Sequence, residues 1–270
     1  MAFVGLAASK FEPSVRGSHP SSRHLVHRNF MVFRGSWIIF LSGFAEPVFY
    51  LFSIGVGVGQ LIDGFVFNGQ TVPYAAFVAP GMLAAAAMNG AILDSTFNVF
   101  FKLKYVKLYD AILATPMRTV DVARGEITWS LMRAGVYSAG FLLVMVAMGL
   151  VESWWAVLAL PATLLIGFAF AGAGMALTTY MRSWHDFEYV TLAIIPMFLF
   201  SATFFPITAF NGLLRWVIEA TPLYRAVVLA RELTTGALSL DSAISVVYLL
   251  VMGTIGLMIA ARRLDKLLLS

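Results

Sequence analysis

The sequence predicts an all-α membrane protein with six transmembrane helices. Three observations carry that prediction. Of 270 residues, 60% are hydrophobic and only 12% are charged, whereas soluble domains run at about 25% charged. The mean hydropathy is +0.85, which places most of the chain in lipid. Apolar runs too long for a soluble core alternate with short connections, and Lys and Arg gather in alternate connections. The pI near 9.4 does not point to nucleic acid, because the basic residues are scattered between apolar spans.

Taken in order, residues 1–20 read as a flexible tail broken by Pro13, Gly17 and Pro20. Residues 21–270 read as one transmembrane domain. The opening MAFVGLAASKFEP does not read as a signal peptide, since charged and helix-breaking residues follow its apolar part at once. In SSRHLVHRNFMVFR (21–34), Val26, Phe30 and Phe33 share a helical face. Arg23, His24 and Arg28 lie away from it, which suits a helix in the headgroup layer. Span 1 covers about 36–61 and contains Glu46-Pro47 and the run GVGVG. That run sits inside an apolar span and is no nucleotide fingerprint; small residues there let another helix approach. Glu46 needs a polar partner, water or a proton. The connection 63–73 has no Lys or Arg and reads as a short loop.

Span 2 covers about 74–98 and approaches its basic end through Asn89, Asp94 and Asn98. The segment 97–126 is the most charged long stretch of the chain. Its residues Phe101, Tyr105, Leu108 and Ile112 fall at helical spacing, with Lys107 and Asp110 opposite. The pattern stops at Thr115-Pro116. It predicts one short amphipathic helix at the cytoplasmic surface, and an ordinary basic loop is the competing reading. Span 3 covers about 128–150, with Arg133 placed to snorkel. Trp154 and Trp155 are positioned like an interfacial belt before span 4, about 156–180. A charged loop, 182–188, precedes span 5, about 189–205, which ends at Phe204, Phe205 and Pro206. Residues 207–241 read as two short helices on the outer face, neither long enough to span. Span 6 covers about 242–261, and the chain ends on a basic tail.

Topology follows from the basic residues. The N-terminal arm, the 98–126 loop, Arg182 and the C-terminal tail hold 14 of the 18 Lys and Arg, so both termini are expected in the cytoplasm. The chain has no cysteine, no P-loop and no zinc-protease or serine-hydrolase signature. No catalytic residue and no metal site is assigned. Residue pattern alone leaves open an ion-driven transporter, and a lipid-modifying enzyme whose one candidate cluster is His185, Asp186 and Glu188. No inverted repeat supports the transporter, and a solvated loop explains the cluster as well.

In combination, six stretches resemble a known family. They are EPVFYLFSIGVGVG (46–59), YAAFVAPGMLAAAAM (74–88), KLYDAILATPM with DVARGEI (107–127), LFSATFFPI (199–207), TPLYRAVVLAR (221–231) and ARRLDKLL (261–268). Over about 22–270 the chain resembles the permease subunit of ABC-2 type exporters, close to the nodulation-protein J and daunorubicin-resistance branch. The family often has Gly where this chain has Ala202. The resemblance implies the ABC-2 (type V exporter) fold, with an N-terminal elbow helix, a coupling helix after span 2 and re-entrant helices between spans 5 and 6. It implies export of drugs, lipids or glycolipids from the inner membrane of a bacterium. It also implies two ABC ATPase subunits that bind ATP and Mg, no cofactor in this chain, and a second permease, identical or homologous. On that footing Phe101, Lys104, Tyr105, Lys107, Leu108, Asp110 and Ile112 are the expected coupling residues. Phe204, Phe205 and Pro206 are the expected outer gate, and Glu46, Asp94 and Glu126 the expected buried polar residues.

Overall fold

The computed structural model describes residues 22–36, 45–61, 64–67 and 70–268. The predicted tail and the first part of span 1 lie outside the described residues. Helix α1 (Ser22–Phe33) lies against the start of α5 (Thr119–Ala147). Its buried row is Leu25 and Asn29, one turn apart. Leu25 packs so closely on Gly125 that a Cβ there would sit 2.9 Å from its own Cβ. Phe30, Met31 and Val32 point outward, which leaves an apolar flank for lipid.

Residues 45–60 form α2, with a π-helical turn at Leu51–Val56. Within GVGVG, Gly55 is the position of close approach: a Cβ there would lie 3.1 Å from Leu51 Cδ1 and 3.5 Å from Ala75 Cβ, whereas one on Gly57 would meet no other element within 4 Å. The connection predicted as a loop is a hairpin. Strands β1 (Phe65–Phe67) and β2 (Gln70–Val72) pair antiparallel in the register Phe65↔Val72. The missed signal is Asn68-Gly69 between β-prone residues, the dipeptide favoured in two-residue hairpin turns. Phe65 anchors the hairpin on Tyr74 and Phe77, at ring separations of 5.7 and 5.2 Å.

Helix α3 (Tyr74–Lys104) is the centre of the bundle and is enclosed on nearly all sides. Helix α4 (Leu108–Leu113) follows, then α5, α6 (Trp154–Thr178), α7 (Asp186–Leu199), α8 (Gly212–Ala220), α9 (Pro222–Thr235) and α10 (Leu240–Leu268). Helices α5, α6 and α9 pack on α3, and α10 packs mainly on α6. The α6–α10 crossing is a backbone-to-backbone contact. A Cβ on Gly256 would lie 2.4 Å from the Gly172 carbonyl carbon, and one on Gly172 2.6 Å from the Gly253 oxygen. With no hydrophobic gain from helix association in lipid, close approach at small residues supplies the packing.

Among the described residues, α3, α5, α6 and α10 are long and apolar enough to cross a membrane. The other two predicted spans correspond to α2 and α7. Helix α7 has 14 residues, about 21 Å at 1.5 Å per residue, short of a ~30 Å hydrocarbon core. It ends three residues after Pro196, and an irregular stretch continues from it. Residues 207–241 do hold two short helices, α8 and α9. Thr221 caps α9 by accepting from Tyr224 N, Pro222 occupies its first turn, and Gly236 closes it at φ 81°.

Candidate coupling and transport site

The bundle has two ends. One holds the 98–126 segment, the 179–187 loop and the C-terminal residues, joined by Thr119 donating to Asp265, Arg263 reaching Thr179 O, and Phe97 stacked on Phe187. The other holds the 150–155 loop and residues 201–241, joined by Glu152 N donating to Thr234 O.

At the first end the predicted single amphipathic helix is two pieces, which corrects the sequence reading. Helix α3 runs on to Lys104, and the chain breaks at 105–107. Val106 N bonds Phe101 O five residues back, and Lys107 takes a left-handed conformation at φ 49°. The break divides the predicted face. Phe101 and Tyr105 stay exposed and stack at 5.6 Å, whereas Leu108 and Ile112 pack inward on the core. Lys104, Lys107 and Asp110 are exposed. The physical reason is Tyr109. Re-aiming α4 buries it completely, adding apolar contact that a straight helix would forgo. Burial, followed by the charge of Glu126, pushes the Tyr109 phenol well above its usual range. The phenol therefore stays protonated through the physiological range.

An aromatic cluster ties this end of α3 to the start of α7. Trp184 lies 5.7 Å from both Phe100 and Tyr105, and Phe187 lies 4.1 Å from Phe97 and 5.1 Å from Phe100. Each such pair contributes about 0.5–1.5 kcal/mol beyond its buried area. These ring contacts join the end of α3 to the start of α7, which otherwise touches the bundle sparsely.

Beneath the cluster, two buried ion pairs hold α1, α3 and α5 together. Asp94 accepts from Arg133 Nη1 at 2.6 Å, from Ser130 Oγ at 2.9 Å and from Asn98 Nδ2. Arg133 Nη2 donates to Tyr137 Oη at 2.9 Å, and its guanidinium lies 5.0 Å from the Phe33 ring centre. Arg133 thus turns inward instead of snorkelling, because a carboxylate and an aromatic face are available at its own depth. Lys102 Nζ meets Glu126 Oε2 at 2.7 Å, and Asn29 Nδ2 donates to the same oxygen at 3.2 Å. Asp94 and Glu126 are buried as predicted, at 2% and 1% exposure. Glu46 is not: in the single chain it is exposed, on the rim of a cavity. The sequence reading missed Asn29, Ser130 and Tyr109. Asn29 had a signal, a polar residue one turn from Leu25 in an otherwise apolar row.

That cavity, of about 710 Å³, lies between α2, α3 and α7 and is lined by Glu46, Tyr50, Met82, Asn89, Phe198 and Phe205 among others. Its wall is mostly apolar with a few polar groups, which suits an amphipathic occupant. At the opposite end of the bundle, Phe204 is 9% exposed and packs on Phe198 at 5.4 Å, while Phe205 is 53% exposed at the cavity wall. Pro206 is half-buried. The bend that places these rings passes through Ala202 at φ 56°. Arg231, buried in α9, fixes it. Its Nη2 donates to Ala202 O at 2.8 Å and Thr203 O at 3.4 Å, its Nε donates to Phe77 O at 3.2 Å, and its guanidinium sits 3.8 Å from the Phe77 ring centre. Glu232, beside it, accepts from Ser239 N, Ser239 Oγ and Ser242 Oγ and ties α9 to the start of α10.

A left-handed conformation costs a residue bearing a Cβ about 1 kcal/mol relative to glycine. Ala202→Gly is therefore expected to raise stability by about that amount, read as a higher thermal midpoint in detergent.

Comparison with known proteins agrees with this architecture. A family profile described as ABC-2 type transporter matches residues 21–234. The chain is 32% identical over 212 residues to Nodulation protein J of Rhizobium leguminosarum bv. trifolii, covering 77% of this chain and 79% of that protein. It is 31% identical over 199 residues to Nodulation protein J of Rhizobium meliloti (strain 1021), covering 73% and 74% of the two chains. It is 29% identical over 221 residues to Nodulation protein J of Bradyrhizobium diazoefficiens, covering 78% and 82%.

Proposed function

The chain belongs to the ABC-2 type transporter family, and from that premise we propose that it is the permease of an ATP-driven exporter that moves amphipathic molecules out of the cytoplasm or inner leaflet. Its sequence carries no P-loop, and in this reading a separate ATPase is its partner. In the working assembly two ATPases bind ATP and Mg, and two permeases, identical or homologous, sit side by side in the bacterial inner membrane with their termini in the cytoplasm. The substrate is a drug, lipid or glycolipid.

The observation that carries this reading is the pairing of an exposed, charged surface at 101–110 with a sparsely packed helix beside an apolar cavity. Phe101, Lys104, Tyr105, Lys107 and Asp110 present the surface to the ATPase. Leu108 and Ile112 hold it to the bundle. The aromatic cluster passes ATPase closure to α7, which forms a cavity wall, and so biases the bundle between two states. Phe204, Phe205 and Pro206 close the far end. The exposed α2 residues Phe49 and Phe52 give a second permease an apolar face to meet.

The test is co-purification with the ATPase encoded nearest to this chain. A Lys104→Glu/Lys107→Glu/Asp110→Lys variant alters only exposed positions and is expected to keep the wild-type melting profile. It is expected to capture the ATPase less by more than about tenfold, since like-charge contacts at an interface cost several kcal/mol. Full capture by the variant moves the docking face elsewhere. No capture by the wild type under conditions that preserve membrane complexes removes the exporter reading.

A further inference from the structure

Helix α7 stands between two hollows. On its far side from the cavity described above, a second groove of about 590 Å³ opens between α7 and α6, floored by α3. Its walls are apolar along most of its length, including Phe170, Leu177, Ala193, Ile194 and Met197. Polar residues gather at one end only, the end that bears the 179–187 loop. There Tyr180, Arg182, Asp186 and Tyr189 form the rim. The Asp186 carboxylate Oδ2 accepts from Arg182 N at 2.6 Å and Ser183 N at 3.1 Å, which folds the turn before α7 onto the helix's first residue. Those amides hold the Asp186 carboxyl below the usual range. The exposed Arg182 guanidinium forms no salt bridge among the described residues. Arg263 adds a second positive charge beside the rim, 4.1 Å from the Tyr180 ring centre.

We propose that this groove is a binding site for an anionic glycerophospholipid of the bilayer, with an acyl chain lying between α6 and α7 and the phosphate at Arg182. An apolar groove open sideways between membrane helices fills with a hydrocarbon chain, because water there would meet no polar partner. At this end Arg182 and Arg263 outnumber the one rim carboxylate, Asp186, and the positive excess selects a negative headgroup. Tyr180 and Tyr189 sit where ring-bearing residues with a polar tip favour the headgroup level. The site is separate from the α2–α3–α7 cavity and shares with it Ile194 on the dividing helix. It therefore acts as a wedge that sets the stance of α7. The placement of the groove in the cytoplasmic leaflet rests on the exporter reading above.

Native mass spectrometry on the purified permease tests it, with protein released from nanodiscs of equal phosphatidylglycerol and phosphatidylcholine. The wild type is expected to retain phosphatidylglycerol over phosphatidylcholine by about fivefold, as one basic residue at a membrane surface supplies. Arg182→Gln is expected to bring the two lipids to parity. Ala193→Trp, which fills the groove, is expected to lose most of the retained lipid while its thermal midpoint stays near wild type. If that variant does not fold, Met197→Trp replaces it. Wild-type retention in a folded groove-filling variant overturns the proposal, as does parity of the two lipids on the wild type. The measurement needs no ATPase, so failure of the lipid site and failure of the exporter reading are read separately.

Discussion

Arg231→Met is expected to lower the thermal midpoint of the detergent-solubilised protein by about 6–12 °C. The substitution keeps a long apolar stem but removes the donors to Phe77 O, Ala202 O and Thr203 O. Hydrogen bonds from a charged donor contribute roughly 1.5–3 kcal/mol each, and buried carbonyls left without one carry a desolvation penalty. Relief of the cation's own desolvation offsets part of that loss. A net cost of about 3 kcal/mol corresponds to that shift for a chain of this size. The bend at Ala202 is the element expected to loosen first, because it is held in a left-handed conformation. Arg231→Lys is expected to fall between the two, since a single ammonium cannot serve carbonyls from two elements as a planar guanidinium does. An Arg231→Met protein that melts with the wild type would show that the guanidinium does not hold the far end of the bundle together.

Asp94→Ala is expected to cost about 3–5 kcal/mol, the range for breaking one member of a buried pair. Both partners are withdrawn from solvent, with side-chain exposures of 12% for Arg133 and 1% for Asp94. The loss arises because Arg133 keeps its charge and its depth but no longer meets the carboxylate at 2.6 Å. Ser130 and Asn98 lose an acceptor as well. Asp94→Ala/Arg133→Leu is expected to recover more than about 1 kcal/mol relative to the sum of the single changes, the signature of direct coupling in a double-mutant cycle. Additive effects on the melting profile would mean that the pair does not join α3 to α5.

The Asp94–Arg133 pair was only half legible in the sequence: Asp94 was expected to be buried, but Arg133 was expected to snorkel, because a position near a span end does not show that a carboxylate lies at the same depth. The pattern of long apolar runs and basic connections located α3, α5, α6 and α10, but α3, α5 and α10 each run six to nine residues beyond the predicted span at one end, where the helix continues past its apolar stretch. Pro222 and Gly236 are the sequence breaks that bound α9, and the cap at Thr221 came only with the structure. What periodicity could not give was the direction of a side chain after a break. The spacing of Phe101, Tyr105, Leu108 and Ile112 is helical, yet the left-handed Lys107 sends its second half inward with Tyr109. No local propensity marks Lys107 for that conformation; the burial of Tyr109 selects it from a distance. The hairpin was legible in Asn68-Gly69 and hidden only by the expectation of a plain loop. Glu46 was misplaced for a simpler reason. Its burial was inferred from the depth of an apolar run, and depth does not distinguish a packed interface from the wall of a cavity.

The enclosure of α3 has a consequence for how the protein is made. In its most apolar window 89% of residues are buried, against 28% for α10. Of the helices that pack on α3, α5, α6 and α9 follow it in the chain and so leave the ribosome later; only α2 precedes it. When α3 first enters the bilayer, most of the surfaces destined to surround it do not yet exist. By its length and its mean hydropathy of 1.6 it is long and apolar enough to cross a membrane. Asp94 must then wait for Arg133, 39 residues downstream. Insertion of α3 and completion of its environment are thus separate events, and the ion pair closes at the second of them.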